Sequence, residues 1–363
     1  MMVDRILITG ATGLLGGLLL RSLSVKYPEA DILVMVREPK RWIEYLSGFG
    51  LMDRRVAPVA GDLLVPGVGL TPEARAALGG RFSSIIHLAA DTCLTSDLEQ
   101  ARAVNVEGTR QLLEATEVGG SPFCLVSTAL VAGLRTGRIM ESDLPSRAGW
   151  ANAHEQSKAE AEEVVRSSGR DFTIMRSSPI VCDTSAGRVT RYSPLFQLLR
   201  FIHAGFTPVL PGRADSPVDV VPADFVADAI RDLAFRRETR GATFHLCAGE
   251  GAATLENIIE WSWEVWSEDP LWRRRSITSP VLTDFYTYQL FETAALETGD
   301  APLVRLFSQM GGLVPHFAHA KHFDTSGADA ALGYRAPSVS SYWRAIAAEV
   351  NRSVGTGALE SAA

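Results

Sequence analysis

Cysteine is scarce, with four in 363 residues, at positions 93, 124, 182 and 247. No Cys-x-x-Cys pair and no metal-suited spacing occurs among them, which excludes a disulfide framework and a cysteine-built metal centre. They read as small buried hydrophobes in a reducing compartment. Long apolar runs are also missing. The longest, Leu14 to Leu20, holds two glycines and falls far short of the ~20 residues a membrane span needs. Asp4 and Arg5 interrupt the N-terminus, so a signal peptide is not expected, and the reading is a cytoplasmic protein with no membrane span. Basic residues are in deficit, 35 Lys+Arg against 42 Asp+Glu for a formal net charge of −7. That balance gives no global attraction to nucleic acid or anionic lipid. Internal repeats are absent as well.

What is present suits a folded chain, with 46% hydrophobic and 21% charged residues. At roughly 100–200 residues per domain, the length allows one large domain or two joined ones. Short apolar runs alternate with longer helical patterns through the first half, as in β-α-β units. Strands are expected at Arg5 to Thr9, Asp31 to Val36, Arg55 to Ala60, Ser84 to Ala89, Phe123 to Ser127 and Phe172 to Arg176, with Thr243 to Cys247 returning late. Helices are expected over Gln100 to Val118, Asn152 to Ser167 and Val218 to Phe235, and a helix followed by a loop over Arg188 to Pro211. The fold class is α/β: a Rossmann-type doubly wound parallel sheet with a smaller, mostly helical C-terminal substrate-binding region. Residues 1–185 form the dinucleotide-binding part, 217–248 return to it, 186–216 and 249–352 form the substrate side, and 353–363 a flexible tail.

The C-terminal part holds five of the seven tryptophans, at 261, 263, 266, 272 and 343. Leu255, Ile258, Ile259, Trp263 and Trp266 share one helix face and read as core. Trp261 lies off that stripe and is a candidate for a pocket or partner contact.

The strongest local signal is Ile6-Leu-Ile-Thr-Gly-Ala-Thr-Gly-Leu-Leu-Gly. It sets Gly10, Gly13 and Gly16 between a strand and an apolar helix. Gly10 would allow the tight turn, Gly13 the approach of backbone N–H groups to a pyrophosphate, and Gly16 close helix-to-strand packing. At the end of the next strand, where a carboxylate would bind ribose hydroxyls, stands Arg37. Guanidinium can pair with a 2′-phosphate, and Lys40 and Arg41 follow, so NADP(H) is the expected cofactor.

Further ordered motifs are Val36-Arg, Gly61-Asp-Leu, His87-Leu-Ala-Ala-Asp, Asn105-Val-Glu-Gly-Thr, Val126-Ser-Thr-Ala-Leu-Val-Ala-Gly and Glu155-Gln-Ser-Lys-Ala-Glu. With the glycine turn, they resemble the extended short-chain dehydrogenase/reductase family, in its thioester-reductase or fatty acyl reductase branch, which is NAD-dependent epimerase/dehydratase-like. The resemblance implies cofactor contacts from Gly10, Thr12, Gly13, Leu14, Leu15 and Gly16, from Asp62 and Leu63 by the adenine, and from Ala89 and Ala90. It implies that Asn105 supports the active site, Thr128 orients the substrate carbonyl, and Lys158 binds the nicotinamide ribose. Arg176 to Asp183 resembles the segment passing the nicotinamide, Ser177 included. Here Ser177 stands where proline is usual, and Cys182 where glycine is usual.

The family's Tyr-x-x-x-Lys pair appears as His154-Glu-Gln-Ser-Lys158. Tyrosine in that place protonates the substrate oxygen, with the lysine lowering its pKa. The same cation would push histidine toward its neutral form, a poor acid but a competent base. Three readings follow: His154 donates a hydrogen bond beside Thr128 and reduction proceeds; His154 is the base of a non-redox isomerase, lyase or cyclase that retains NADP(H); or the protein binds dinucleotide without turnover, naturally or as a Tyr-to-His mutant. Tyr192, or a tyrosine from the 286 to 288 region, could approach in space.

Other constellations are weaker. His316, His319 and His322 could lie along one helix face, yet no acidic or cysteine ligand accompanies them, so no metal is expected. Ser127 and Ser157 flank the site without a nucleophile elbow. Gly187-Arg-Val could touch substrate or form a turn. The Phe- and Tyr-rich stretch Val281 to Val314, with Gly311-Gly312 as a hinge, could cover an apolar acyl or polyketide-like substrate or be plain core. Arg273, Arg274 and Arg275 could receive a phosphopantetheine phosphate or an acidic acyl carrier protein. The expected activity is therefore reduction of a carbonyl or of a carrier- or CoA-bound thioester, with no nucleic-acid partner.

Overall fold

Strands that send large apolar residues to both faces persist only in a sheet covered on both sides. The computed structural model describes residues 3–49, 55–117, 120–143, 148–184, 188–189 and 193–355, and it contains such a sheet. Its seven strands are β1 (Arg5–Thr9), β2 (Asp31–Val36), β3 (Val56–Ala60), β4 (Ser84–His87), β5 (Phe123–Thr128), β6 (Phe172–Ser177) and β7 (Ala242–Leu246). They run parallel in the order β7-β6-β5-β4-β1-β2-β3. Ile6 and Ile8 point to one face, where they meet Leu19, Leu20 and Leu23 of the helix Leu14–Lys26. Leu7 points to the other, with Leu112, Ala161 and Val165. Each such side chain, fully buried, stabilises the fold by roughly 1.5–3 kcal/mol relative to exposure.

The order reverses direction between β1 and β4, and ligands of open α/β sheets bind in the crevice at the carboxyl ends of strands at such a point. That crevice lies beyond Thr9 and His87.

The segment expected as one helix over Gln100 to Val118 is broken in three: α-helix Leu98–Arg102, a π-turn Ala103–Glu107, and α-helix Gly108–Ala115. A π-turn carries an extra residue and often marks a functional position; here it holds the buried Asn105. The helix expected from Val218 begins at Ala223, because prolines 217 and 222 lack the N–H a helix interior needs. The loop expected before Pro211 contains a strand, Val209–Pro211, which pairs with Val281–Thr283.

The C-terminal helices share the core of one sheet face. Within Leu255–Trp266, Leu255, Ile258 and Trp266 are buried, while Ile259 and Trp263 are half-buried against the same core. Three buried indole N–H groups here find acceptors: Trp266 the Ala347 carbonyl (2.9 Å), Trp343 Ser262 Oγ (3.0 Å) and Trp272 the His203 carbonyl (2.9 Å). Trp261 sits half-buried on the seam with the last helix, its ring 5.8 Å from the Arg344 guanidinium carbon. That helix runs Trp343–Gly355, so residues 353–355 belong to it and not to a tail; 356–363 lie outside the described residues. Of the four cysteines, three are buried, but Cys93 is exposed, where the Thr95 hydroxyl lowers its thiol pKa.

No helix among the described residues is long and apolar enough to cross a membrane.

Candidate active site

The three glycines of the first turn are not equivalent. Gly10 has φ +74°, and a Cβ there would lie 2.5 Å from the Ala89 nitrogen; a Cβ on Gly16 would lie 2.5 Å from Ala11 Cα. The fold itself requires both. Gly13 has an ordinary φ of −79°, and its Cβ would meet nothing nearer than the Gly10 oxygen at 3.5 Å. Packing therefore does not explain Gly13. It precedes the first turn of Leu14–Lys26, which has no side-chain cap and no acidic residue. A helix N-terminus left bare, next to a glycine the fold does not need, fits the pyrophosphate of a dinucleotide. Thr12 and Leu14 are exposed beside it, and Leu15 is half-buried.

Arg37 follows β2, exposed, with no ion-pair partner among the described residues. Lys40 is exposed too, whereas Arg41 pairs with Glu38 (3.0 Å). Asp62 folds an Asx turn, its Oδ1 accepting from the Leu64 N–H (3.0 Å). Leu63 packs so closely on Gly108 that a Cβ there would lie 2.9 Å from Leu63 Cβ. Ala89 and Ala90 line the crevice after β4, half-buried; the Ala89 N–H donates to Thr9 Oγ1 (3.2 Å).

Thr9 starts a chain of hydrogen bonds whose direction can be deduced. The Thr109 hydroxyl donates to the Asn105 carbonyl (2.6 Å), so its oxygen accepts from His87 Nε2–H (3.0 Å). His87 Nδ1 then accepts from the Thr9 hydroxyl (2.7 Å). Burial, with Lys158 adding to it, pushes the His87 pKa down to about 3; it is a neutral strut.

Asn105 gathers the site. Its Oδ1 accepts from the Asp91 N–H (2.8 Å), and its Nδ2 donates to the Asp91 carbonyl (3.0 Å) and to Ser157 Oγ (2.8 Å). His154 Nδ1 lies 2.8 Å from that same Asp91 carbonyl. A carbonyl only accepts, so Nδ1 carries the proton, and in the neutral ring Nε2 is a bare acceptor. Burial holds the His154 pKa below its ordinary value, as does the Lys158 ammonium, with the Asp91 carbonyl opposing. The reading in which neutral His154 donates to substrate from Nε2 does not fit this tautomer.

Lys158 lies one turn along the same helix, Ala153–Arg166. Its buried ammonium donates to the Val126 carbonyl (2.7 Å), on the strand that ends in Thr128. Burial pushes its pKa down to about 8, with Glu162 opposing. The Thr128 hydroxyl faces the Ser177 carbonyl at 3.4 Å and accepts from the Leu130 N–H (3.2 Å). The weak Ser177 contact leaves its proton available to a substrate oxygen. Asn105, Thr128, His154, Lys158 and Ser177 thus converge where β4, β5 and β6 end.

Several expectations are corrected. His316, His319 and His322 do not share a helix face: His316 is in Pro315–Ala318, His319 follows that helix, and His322 points outward from the strand Lys321–Phe323. Among the described residues no metal-holding cluster occurs. Tyr288 is buried, packed on Phe285 and Phe307, and Tyr286 is exposed. Tyr192 and Gly187 lie outside the described residues. Gly312 is no free hinge, since a Cβ there would lie 2.8 Å from Leu94 Cβ and its carbonyl accepts from Asn152 Nδ2 (3.0 Å). In Val281 to Val314, Tyr286, Leu290 and Leu296 are exposed. Arg275 donates to the Ala204 carbonyl (3.0 Å).

Sequence reasoning missed Asp91 as the His154 clamp, Ser157 as an Asn105 partner, and the bond from His316 Nε2 to Glu155 Oε1 (2.6 Å). The adjacency of His154 and Glu155 at a helix start was the one available signal.

Fold and site together define a dinucleotide-binding, extended short-chain dehydrogenase/reductase architecture. Comparison with known proteins agrees: the family model described as male sterility protein, NAD-binding, matches residues 8–230. The chain belongs to that family, the thioester-reductase-like branch. It is 30% identical over 276 residues to an isonitrile lipopeptide synthase of Streptomyces coeruleorubidus, covering 71% of this chain and 18% of the relative. It is 27% identical over 267 residues to the L-2-aminoadipate reductase large subunit of Penicillium chrysogenum, covering 65% and 19%. The chain thus spans about a fifth of the length of these relatives. Among solved structures, the terminal R domain of the myxalamid PKS-NRPS pathway superposes with TM-score 0.77 at 26% identity, covering 99% of this chain and 92% of that one. The R domain of a Mycobacterium tuberculosis nonribosomal peptide synthetase, at 21% identity and TM-score 0.71 over 98% and 92%, shares the fold.

Proposed function

We propose that the protein is an NADP(H)-dependent reductase of a carbonyl group, chiefly of an acyl thioester borne by a carrier protein or coenzyme A. The observation that carries this reading is the buried Lys158 ammonium, held on the strand that presents Thr128 at the crevice. The relatives' reductase names support the thioester. A bound nicotinamide dinucleotide would supply the hydride that adds to the carbonyl carbon. Thr128 would donate to the carbonyl oxygen, and the Lys158 charge would stabilise the negative charge growing there. The resulting alkoxide would collapse to the aldehyde as the C–S bond breaks, and the sulfur would leave as a thiolate that takes a proton from a water held by the open Nε2 of neutral His154.

The test is direct. With NADPH and a panel of acyl-pantetheine thioesters, aldehydes and ketones, nicotinamide absorbance should fall in step with free thiol released from the thioesters. His154→Tyr should raise turnover about tenfold or more, since a positioned acid contributes ~10²–10⁴-fold. Product formed with no net change in nicotinamide would sink the redox reading. It would favour a non-redox isomerase, lyase or cyclase, the second reading, to which the acceptor tautomer of His154 also lends support.

Arg37 sets the cofactor preference in this reading. Hydrogen bonds to charged groups contribute roughly 1.5–3 kcal/mol, so Arg37→Ala should weaken NADPH binding by about 10–100-fold and leave NADH nearly unchanged. Equal losses for both cofactors in a titration would remove Arg37 from the argument.

A further inference from the structure

Between the sheet's carboxyl edge and the C-terminal region lies a cavity of about 50 Å³. Leu130 and Pro179 line it from the sheet side; they stand two residues beyond Thr128 and Ser177 respectively. His316 and Lys321 line it from the C-terminal side and Asp219 from a third, and its other walls are apolar.

Strand pairing explains why a lysine points into it. Lys321–Phe323 pairs in parallel with Gly137–Ile139, and the alternation turns Lys321 and Phe323 inward and His322 outward. Lys321 is only 5% exposed. Its ammonium donates to the His319 carbonyl (2.8 Å) and to His316 Nδ1 (3.2 Å). The direction of the second bond follows from the far side of the ring, where Nε2–H donates to Glu155 Oε1. Glu155 is held in turn by the Ala151 N–H (3.1 Å) and Asn152 Nδ2 (2.7 Å).

Two acceptors for three N–H groups leave one ammonium proton without a partner among the described residues. No hydrogen bond or ion pair among the described residues joins it to the nearby Asp219, whose two oxygens accept from the Ala248 N–H (2.8 Å) and the Gly249 N–H (2.9 Å). Burial pushes the Lys321 pKa down to about 8, so the group is still a cation at neutral pH. An unsatisfied N–H of a buried cation is a strong demand for an oxygen acceptor, and an otherwise apolar cavity provides the space for the carbon that bears it.

We propose that this cavity is a substrate subsite in which the Lys321 ammonium receives an oxygen of the acyl chain, carried as a keto, hydroxyl or carboxyl group. The inference rests on the reductase reading and specifies its substrate class: oxygenated rather than plain acyl chains. The Lys321–His316–Glu155 chain ends beside His154, so an occupied subsite also bears on the first turn of the helix that carries the reacting groups.

Acyl-pantetheine amides, which cannot be reduced, separate this inference from the reductase reading. Calorimetry would compare a saturated chain with the same chain carrying a keto, hydroxyl or carboxyl oxygen, against wild type and Lys321→Met. Wild type should bind at least one oxygenated analogue tenfold or more tightly than the saturated one, and the ratio should fall below threefold in the variant. Because Lys321→Met could lose its fold, a wild-type measurement stands beside it: the ¹⁵N signal of the Lys321 ammonium should move with the oxygenated analogue and not with the saturated one. No preference in wild type would mean that water satisfies the ammonium, and an unchanged ratio in the variant would mean that another group reads the oxygen; either overturns the subsite. Preference without any thioester turnover would overturn the reductase reading alone.

Discussion

Lys158→Met is expected to lower kcat/KM for thioester reduction by about 10²–10³-fold, the scale seen when one preorganised stabiliser of a developing oxyanion is removed. The ammonium is buried, fixed by the Val126 carbonyl, and needs no reorganisation as charge grows on an oxygen at Thr128. Methionine keeps the length and packing and removes the charge. Stability should move the other way. Folding lowers the lysine pKa from 10.5 to about 8, so below pH 8 the protonated group opposes folding, and the variant should be as stable as wild type or more so. The unfolded chain holds its proton up to about pH 10.5, so wild type should recover that deficit as pH rises from 8 to 10.5. Urea titrations across this window, beside kinetics at pH 7, test both halves. A fall in kcat/KM of less than tenfold would remove Lys158 from the reaction.

The glycine turn provides the second large effect, as a contrast within one motif. Gly10→Ala and Gly16→Ala place a Cβ against backbone, at Ala89 and at Ala11, and backbone cannot move aside as a flexible side chain can. Strain at positive φ and overpacking together amount to roughly 2–5 kcal/mol at Gly10, and overpacking alone to about 1–3 kcal/mol at Gly16. Gly13→Ala meets only ordinary contact and should change stability by less than about 1 kcal/mol. Its methyl group would occupy the approach of a pyrophosphate and obstruct charge-assisted hydrogen bonds, so dinucleotide affinity should fall by about 100-fold. Chemical denaturation and cofactor titration of the three variants separate the roles. Intact affinity in Gly13→Ala would show that the pyrophosphate lies elsewhere.

These two predictions draw on different levels of information. The glycine spacing was legible because a strand, a tight turn and a helix start are local, each set by neighbours in the chain. β1 and β2 were read residue for residue, since apolar runs bounded by polar or glycine residues have few alternatives in a two-faced sheet. The seven strands and their α/β class followed from the same periodicity. The π-turn at Asn105 was not legible. Its extra residue is set by Asp91 and Ser157, which Asn105 reaches across 14 and 52 positions of sequence, and a helical pattern carries no mark of it. The three histidines near 320 show the reverse error: even spacing suggested a shared helix face, but a strand begins at Lys321 and turns neighbouring residues to opposite sides.

By itself, then, the sequence determined the parallel sheet, the nucleotide turn, the Arg37 position and the replacement of tyrosine by His154, because each rests on residue type and short-range spacing. Only the tertiary structure decided the His154 tautomer, which depends on a carbonyl 63 positions away. It also decided the burial of Lys321 and the Glu155–His316 bond, whose partners are 161 positions apart. A proton's location and a cation's desolvation depend on which groups the fold brings within about 3 Å, and one-dimensional periodicity does not encode that distance.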